Sequence, residues 1–235
     1  MKKSFSDIKD DLIIEQIKEL NEGVYDPGIF KAFFLAGGPG SGKSYVQKKT
    51  TSGMGLKVVN SDDIYEKMLK DAGMETTVAD IYSDKGQEIR GRAKEVTKKR
   101  QSNFLMGRLG VVIDGTGKDF EKIQRQAASL KQLGYDTYMI FVNTSEEIAQ
   151  ERNQQRKRTL DRGEVTRMWT EVQKNIGAFQ RFFGGKNFII LDNNGSNDDV
   201  LQMVFKRVRG LVKTPVKNYL AKQWIANELE KKRRK

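Results

Sequence analysis

The chain has 235 residues, a net charge of +12, and neither cysteine nor histidine. That length supplies one large core with short extensions, and the missing thiols and imidazoles exclude a disulfide framework and a structural zinc site. They also make a carboxylate the expected general base, while the positive charge suits phosphate-rich ligands without telling small ones from nucleic acid.

The N-terminal stretch Met1-Lys2-Lys3-Ser4-Phe5 runs into charged sequence rather than an apolar leader, and no run approaches the roughly 18 apolar residues of a membrane span. The expectation is a cytoplasmic protein with no membrane partner. Residues 6–20 place Ile8, Leu12, Ile13, Ile17 and Leu20 at helical spacing behind Ser6 or Asp7. A turn at Asp26-Pro27-Gly28 then leads to the apolar run Lys31-Ala32-Phe33-Phe34-Leu35-Ala36, which reads as a buried parallel strand. A glycine-rich loop, a helix over 44–51, a short strand over 56–60 and a helix capped by Ser61 follow. A long charged helical segment from about 83 to 108, lightly interrupted by Gly86 and Gly91, is expected to pack on one face of the sheet.

Three further short strands, apolar on both faces, are predicted at 111–114, 138–142 and 188–191. Helical patterns separate and follow them over 120–133, 146–156, 164–183, 198–212 and 218–231. Such alternation predicts an α/β fold, a parallel sheet with right-handed crossovers between layers of helices. The expected organisation is a helical extension over 1–30, a main domain over 31–212 and a C-terminal helix with a basic tail over 213–235.

The strongest chemical signal is Gly37-Gly38-Pro39-Gly40-Ser41-Gly42-Lys43-Ser44, which fits G-x-x-x-x-G-K-[ST] without mismatch, between a strand and a helix. Glycines let backbone N–H groups converge on phosphate oxygens where the helix dipole favours negative charge. Gly38 to Ser44, with Tyr45 beside them, are therefore the predicted nucleotide contacts. Lys43 would reach the β- and γ-phosphates, and Ser44 would ligate Mg²⁺.

Ligands of open parallel sheets lie beyond the carboxyl ends of the strands. There the chain carries Asn60-Ser61-Asp62-Asp63 and Asp114-Gly115-Thr116-Gly117. Asp114 closes an apolar strand and reads as the Mg²⁺ carboxylate, with a plain Gly-rich turn as the alternative. Asp62 is the expected base that orients an attacking hydroxyl. Asp63, about 100° further round a helix, is expected not to share that task. Arg152, Arg156 and Arg158 lie in a basic segment near 152–163, read either as a lid that gathers phosphate charge or as an exposed helix end.

With these segments placed, the chain resembles the zeta-toxin-like group of P-loop kinases, relatives of polynucleotide 5′-hydroxyl kinases and chloramphenicol phosphotransferase. The resemblance rests on the glycine loop, Val59-Asn60-Ser61-Asp62-Asp63, Val112-Ile113-Asp114-Gly115-Thr116 and the arginine-rich segment. It implies a P-loop three-layer α/β/α sandwich whose five-stranded parallel sheet has the order 2-3-1-4-5. It further implies Asp62 as base, the lid arginines on the nucleotide phosphates, and ATP with Mg²⁺. The arginine that polynucleotide kinases carry shortly after the base is missing from Asp63-Ile64-Tyr65-Glu66-Lys67.

The leading expectation is thus phosphoryl transfer from ATP to a hydroxyl of a small molecule, a nucleotide or nucleotide sugar among the candidates. Two alternatives stay open: a polynucleotide 5′-hydroxyl kinase, and a nucleic-acid-binding or assembly protein that uses ATP as a switch. The tail Lys231-Lys232-Arg233-Arg234-Lys235 reads either as a nucleic-acid contact or as a disordered solubilising end. Trp169, Phe179, Phe182 and Phe183 read as core, with part of that stripe walling the acceptor pocket.

Overall fold

In the computed structural model, which describes residues 23–155, 159–195 and 198–234, five strands pair in parallel in the order β2-β3-β1-β4-β5. They are β1 (Lys31–Ala36), β2 (Lys57–Val59), β3 (Val111–Asp114), β4 (Asp136–Asn143) and β5 (Phe188–Asp192). The helices are α1 (Lys43–Thr51), α2 (Ser61–Asp71), α3 (Val78–Tyr82), α4 (Asp84–Met106), α5 (Phe120–Gln132), α6 (Glu146–Gln154), α7 (Arg162–Lys174), α8 (Ile176–Phe183), α9 (Asp198–Lys213) and α10 (Tyr219–Arg233). This is the expected sandwich of helices about a parallel sheet, with the strand order 2-3-1-4-5 that the family resemblance implies. The helix expected over 6–20, Arg156 and Arg158 lie outside the described residues.

Side chains alternate across a strand, so β1 feeds two cores at once. Ala32, Phe34 and Ala36 join Ile123, Ala127 and Leu130 of α5 and Phe179 and Phe183 of α8 on one face. Phe33 and Leu35 join Val46 of α1 and Leu201, Val204, Phe205 and Val208 of α9 on the other. Every residue of β1 is buried, which explains why the strand reads as an unbroken apolar run. A third, smaller core of Tyr65, Leu69, Ile81, Ile89 and Ala93 forms where α2, α3 and α4 meet.

That third core corrects one expectation. The long charged helix does not lie along a sheet face: α4 packs on α2 and α3, touches the edge strand β2, and reaches the sheet core through Phe104 and Leu105. Its apolar positions are too few to cover a sheet face. The short α3, unforeseen in the sequence, fits beneath it because Gly86 has no side chain, and a Cβ there would stand 2.0 Å from the Asp80 carbonyl oxygen.

The helix expected over 164–183 is two helices, α7 and α8, broken at Asn175. Its carboxamide donates to the carbonyls of Gly117 and Lys118 at 3.0 and 2.8 Å, fastening the break to the loop that leaves β3. The C-terminal helix α10 continues through Arg233 and docks on the main core. Ala221 is fully buried, and Trp224 meets Phe30 edge-on at 5.4 Å. Asp136 anchors its start by accepting from the backbone of Lys217 and Asn218, and it pairs with the buried Lys31 ammonium at 3.1 Å. Burial pushes the Lys31 pKa down, a shift that the Asp136 carboxylate opposes.

Candidate active site

The loop from Gly37 to Gly42 joins the central strand to α1, and contacts from three sides fix its shape. Gly40 and Gly42 adopt φ values of 71° and 80°, which side chains rarely tolerate. Space forbids a side chain as well: a Cβ at Gly40 would lie 2.5 Å from the Ala149 carbonyl, and one at Gly42 would lie 2.5 Å from the Asn193 carboxamide nitrogen. Asn193 Nδ2 donates to the Ser41 carbonyl at 2.7 Å, Arg152 Nη1 to the Gly40 carbonyl at 3.3 Å, and the Gly37 N–H to the Thr116 carbonyl at 3.1 Å. The N-terminus of α1, whose first N–H groups lack intrahelical acceptors, closes the cradle. Tyr45, in its first turn, is about half exposed with the Lys49 ammonium over its ring.

Lys43 donates from Nζ to the Gly37 carbonyl at 2.8 Å, spanning the loop. Its charge reaches Asp114, the last residue of β3. Burial pushes the Asp114 pKa up, Lys43 opposes that shift, and the carboxylates of Asp62 and Asp63 add to it. One Asp114 carboxyl oxygen is buried without a hydrogen-bond partner, as is the Ser41 hydroxyl. An orphaned carboxylate oxygen beside a glycine cradle fits a hard cation carried by a triphosphate.

The structure therefore brings together Lys43, Asp62 and Asp114, which lie on three different elements. Asn60 arranges the acidic pair. Its Oδ1 accepts from the Asp62 N–H at 2.8 Å, and its Nδ2 donates to the Asp63 carboxylate at 3.1 Å. Asn60, and not Ser61 as expected, is thus the cap of α2, because β2 ends one residue earlier and its carboxamide reaches back over the first turn. Asp63 is not isolated from the cluster. Burial first and the Asp62 charge second push its pKa up.

Of the three arginines, Arg152 reaches the loop, while Arg156 and Arg158 fall outside the described residues. The helices α6 and α7 that flank this segment are joined at their base. Gln150 donates to the Arg162 carbonyl at 2.9 Å, and Asn153 both donates to and accepts from the backbone of Leu160. Trp169, on α7, donates to the Thr144 carbonyl at 2.8 Å, and its backbone backs Gly38. Phe179 and Phe183 are core, and Phe182 packs against it.

A cavity of about 290 Å³ opens beside the acidic pair, lined by Ser61, Asp62 and Tyr65 of α2 and by Gln87, Arg90 and Lys94 of α4. None of the aromatic stripe walls it, contrary to expectation, because Phe179, Phe182 and Phe183 belong to or pack against the sheet core and Trp169 is tied to the Thr144 carbonyl. Sequence reasoning missed Asn193, Arg90 and Lys94. Extending the strand-end rule to β5 would have flagged Asn193. The spacing Gln87, Arg90, Lys94, one helical face, was available for the others, but nothing local ties that face to Asp62.

Comparison with known proteins agrees with this architecture. A model described as an AAA domain matches residues 33–175. No curated protein is similar enough in sequence to count as a match. Among solved structures, a chain of the PezAT chromosomal toxin–antitoxin system of Streptococcus pneumoniae superposes with a TM-score of 0.50 at 14% identity, over 87% of this chain and 96% of that one. Shikimate kinase from Bacteroides thetaiotaomicron gives 0.49 at 13% identity, covering 78% and 99%. A gluconokinase from Sinorhizobium meliloti gives 0.45 at 14%, covering 78% and 92%. At these identities the likeness to the PezAT chain speaks for the shared fold.

Proposed function

The chain belongs to the AAA-domain family, and from that premise we propose that it is an ATP-dependent phosphotransferase of zeta-toxin-like type that moves the γ-phosphoryl group to a hydroxyl of a small molecule. The observation that carries the reading is the position of Asp62. It lines the cavity beside α4, and with Asp63 and the loop lysine it is one of three charges that act on Asp114. One carboxylate thus lines an acceptor-sized space and acts electrostatically on the aspartate that Lys43 of the cradle also reaches.

The residues divide the work as follows. The loop amides and Lys43 hold the triphosphate and neutralise charge spreading over the equatorial oxygens of the transferring group. Arg152, already against the loop, adds a second cation at the edge of the cradle. Ser44 and Asp114 would hold Mg²⁺, which would offset the negative charge of the phosphates. Asp62 accepts the proton of the acceptor hydroxyl as its oxygen bonds to the γ-phosphorus and the bond from that phosphorus to the β,γ-bridging oxygen breaks, releasing ADP. Asn60 fixes the helix start that presents this carboxylate.

The nucleic-acid alternative gains less support from the C-terminal helix than its sequence suggests. Lys231 pairs with Glu228, Arg234 with Glu230, and Lys232 lies over the Tyr25 ring at 4.9 Å. The deciding experiment incubates the protein with γ-labelled ATP and a cell extract, then compares labelled metabolites from the wild type and Asp62→Asn. Loss of a general base is expected to lower the transfer rate by about 10²–10⁴-fold with Mg-ATP affinity retained. Labelling unchanged in Asp62→Asn would overturn Asp62 as the base, and free phosphate as the sole product, formed at a rate that Asp62→Asn leaves untouched, would overturn the proposal in favour of ATP as a switch.

A further inference from the structure

The cavity beside Asp62 has two chemically different walls. The α2 wall carries Ser61, Asp62 and Tyr65, and the α4 wall carries Gln87, Arg90 and Lys94. On α4 these last three follow at intervals of three and four residues, so they form one helical face directed at one space. Among the described residues neither Arg90 nor Lys94 is ion-paired with a carboxylate. The Arg90 guanidinium lies over the Tyr65 ring at 5.4 Å, a contact that steadies it beside the cavity and leaves its N–H groups to serve a ligand.

A second, independent observation marks the same space as a ligand site. Tyr65 is only 4% exposed, yet its hydroxyl is buried with no hydrogen-bond partner. Buried hydroxyls nearly always find partners, so one left over at a cavity wall signals a polar group supplied from outside. The cavity, at about 290 Å³, suits a ligand the size of a sugar phosphate.

We propose that the phosphoryl acceptor is itself an anion, carrying a phosphate or carboxylate that docks between Arg90 and Lys94 while its hydroxyl faces Asp62. The inference rests on Asp62 serving as the base of a phosphotransferase and adds the substrate class. Electrostatics sets the orientation. The cations of α4 attract the anionic end and the carboxylates of α2 repel it, so only the hydroxyl end is stable near Asp62. The arrangement also disfavours a neutral acceptor, which would leave both cations without a partner.

The test separates binding from transfer. With the full-length protein saturated by Mg²⁺ and a non-hydrolysable ATP analogue, ribose 5-phosphate and ribose are titrated calorimetrically. The phosphorylated sugar should bind at least about tenfold more tightly, the return expected from charge-assisted hydrogen bonds. In Arg90→Gln/Lys94→Gln that gap should close while the affinity for the ATP analogue holds. Lys94→Gln alone, at an exposed position, should narrow the gap without threatening the fold, and Arg90→Lys should restore part of it.

A wild type that binds the two sugars equally, or a gap that survives in the double variant, overturns the inference. In the transfer arm, extract metabolites are divided by anion exchange before incubation with γ-labelled ATP. Label arising only from the retained, anionic fraction supports the inference, and label arising from the unretained fraction overturns it as well. If the sugar phosphate binds selectively yet no metabolite is labelled, the anion site stands and the phosphotransferase reading fails.

Discussion

Replacing Asn193 by alanine tests how the phosphate cradle is held. Asn193 is 8% exposed, receives the chain just after β5, and places its Nδ2 2.7 Å from the Ser41 carbonyl in a buried hydrogen bond. Its backbone N–H is tied to the Asn143 carbonyl at 2.9 Å, so the side chain is presented from a fixed point. Removing the donor leaves the Ser41 carbonyl desolvated and unpaired, at a cost of about 1–3 kcal/mol.

That energy must appear in one of two places. If the loop keeps its conformation, the folded state bears the cost, and for a chain of this size Tm falls by about 2–4 °C per kcal/mol, or about 2–12 °C in all. If the loop opens to let the carbonyl meet water, Tm is spared, but nucleotide binding must close the loop again. Mg-ATP affinity then drops by up to about 150-fold. Differential scanning calorimetry and equilibrium titration of Mg-ATP on the same preparation measure both. Asn193→Asp provides a control of equal size, because it sets a carboxylate against the Ser41 carbonyl and should lower Mg-ATP affinity further. A variant whose Tm and Mg-ATP affinity both match the wild type would refute the role assigned to Asn193.

Two further outcomes follow from buried charges elsewhere in the molecule. The Asp114 pKa is raised above its ordinary value of 3.8, chiefly by burial. The folded state therefore holds a proton that the unfolded chain has released, and stability falls as pH rises through the raised pKa. Asp114→Asn should then raise the nucleotide-free Tm at neutral pH, with the gain shrinking toward about pH 4, and it should weaken Mg²⁺-dependent nucleotide binding. A pH-independent Tm difference would contradict this account. Lys31→Ala removes the partner of Asp136 within the β1–β4 pairing and leaves that carboxylate to the two amide donors at the start of α10. Breaking a buried pair from one side costs about 3–5 kcal/mol, to be read from urea midpoints, whereas a loss below about 1 kcal/mol would place the pair among weakly contributing surface ion pairs.

The sequence determined the sheet strands and the glycine loop, because each is written locally. Buried parallel strands must be apolar on both faces, and a tight backbone cradle must be glycine. The strand order agrees with the one implied by the family resemblance, and Gly40 and Gly42 are glycines for both reasons available, a left-handed φ and a lack of space. Tertiary structure alone decided what stands opposite that loop. Asn193 is 152 residues from the carbonyl it holds, and Arg90 and Lys94 become a cavity wall only because α4 lies on α2 instead of on the sheet. The break at Asn175 belongs to the same class, since its carboxamide answers carbonyls 57 and 58 residues away. Local spacing reports which face of an element is apolar. It carries no information about which polar face another element will meet, and that meeting is where the cavity beside Asp62 is made.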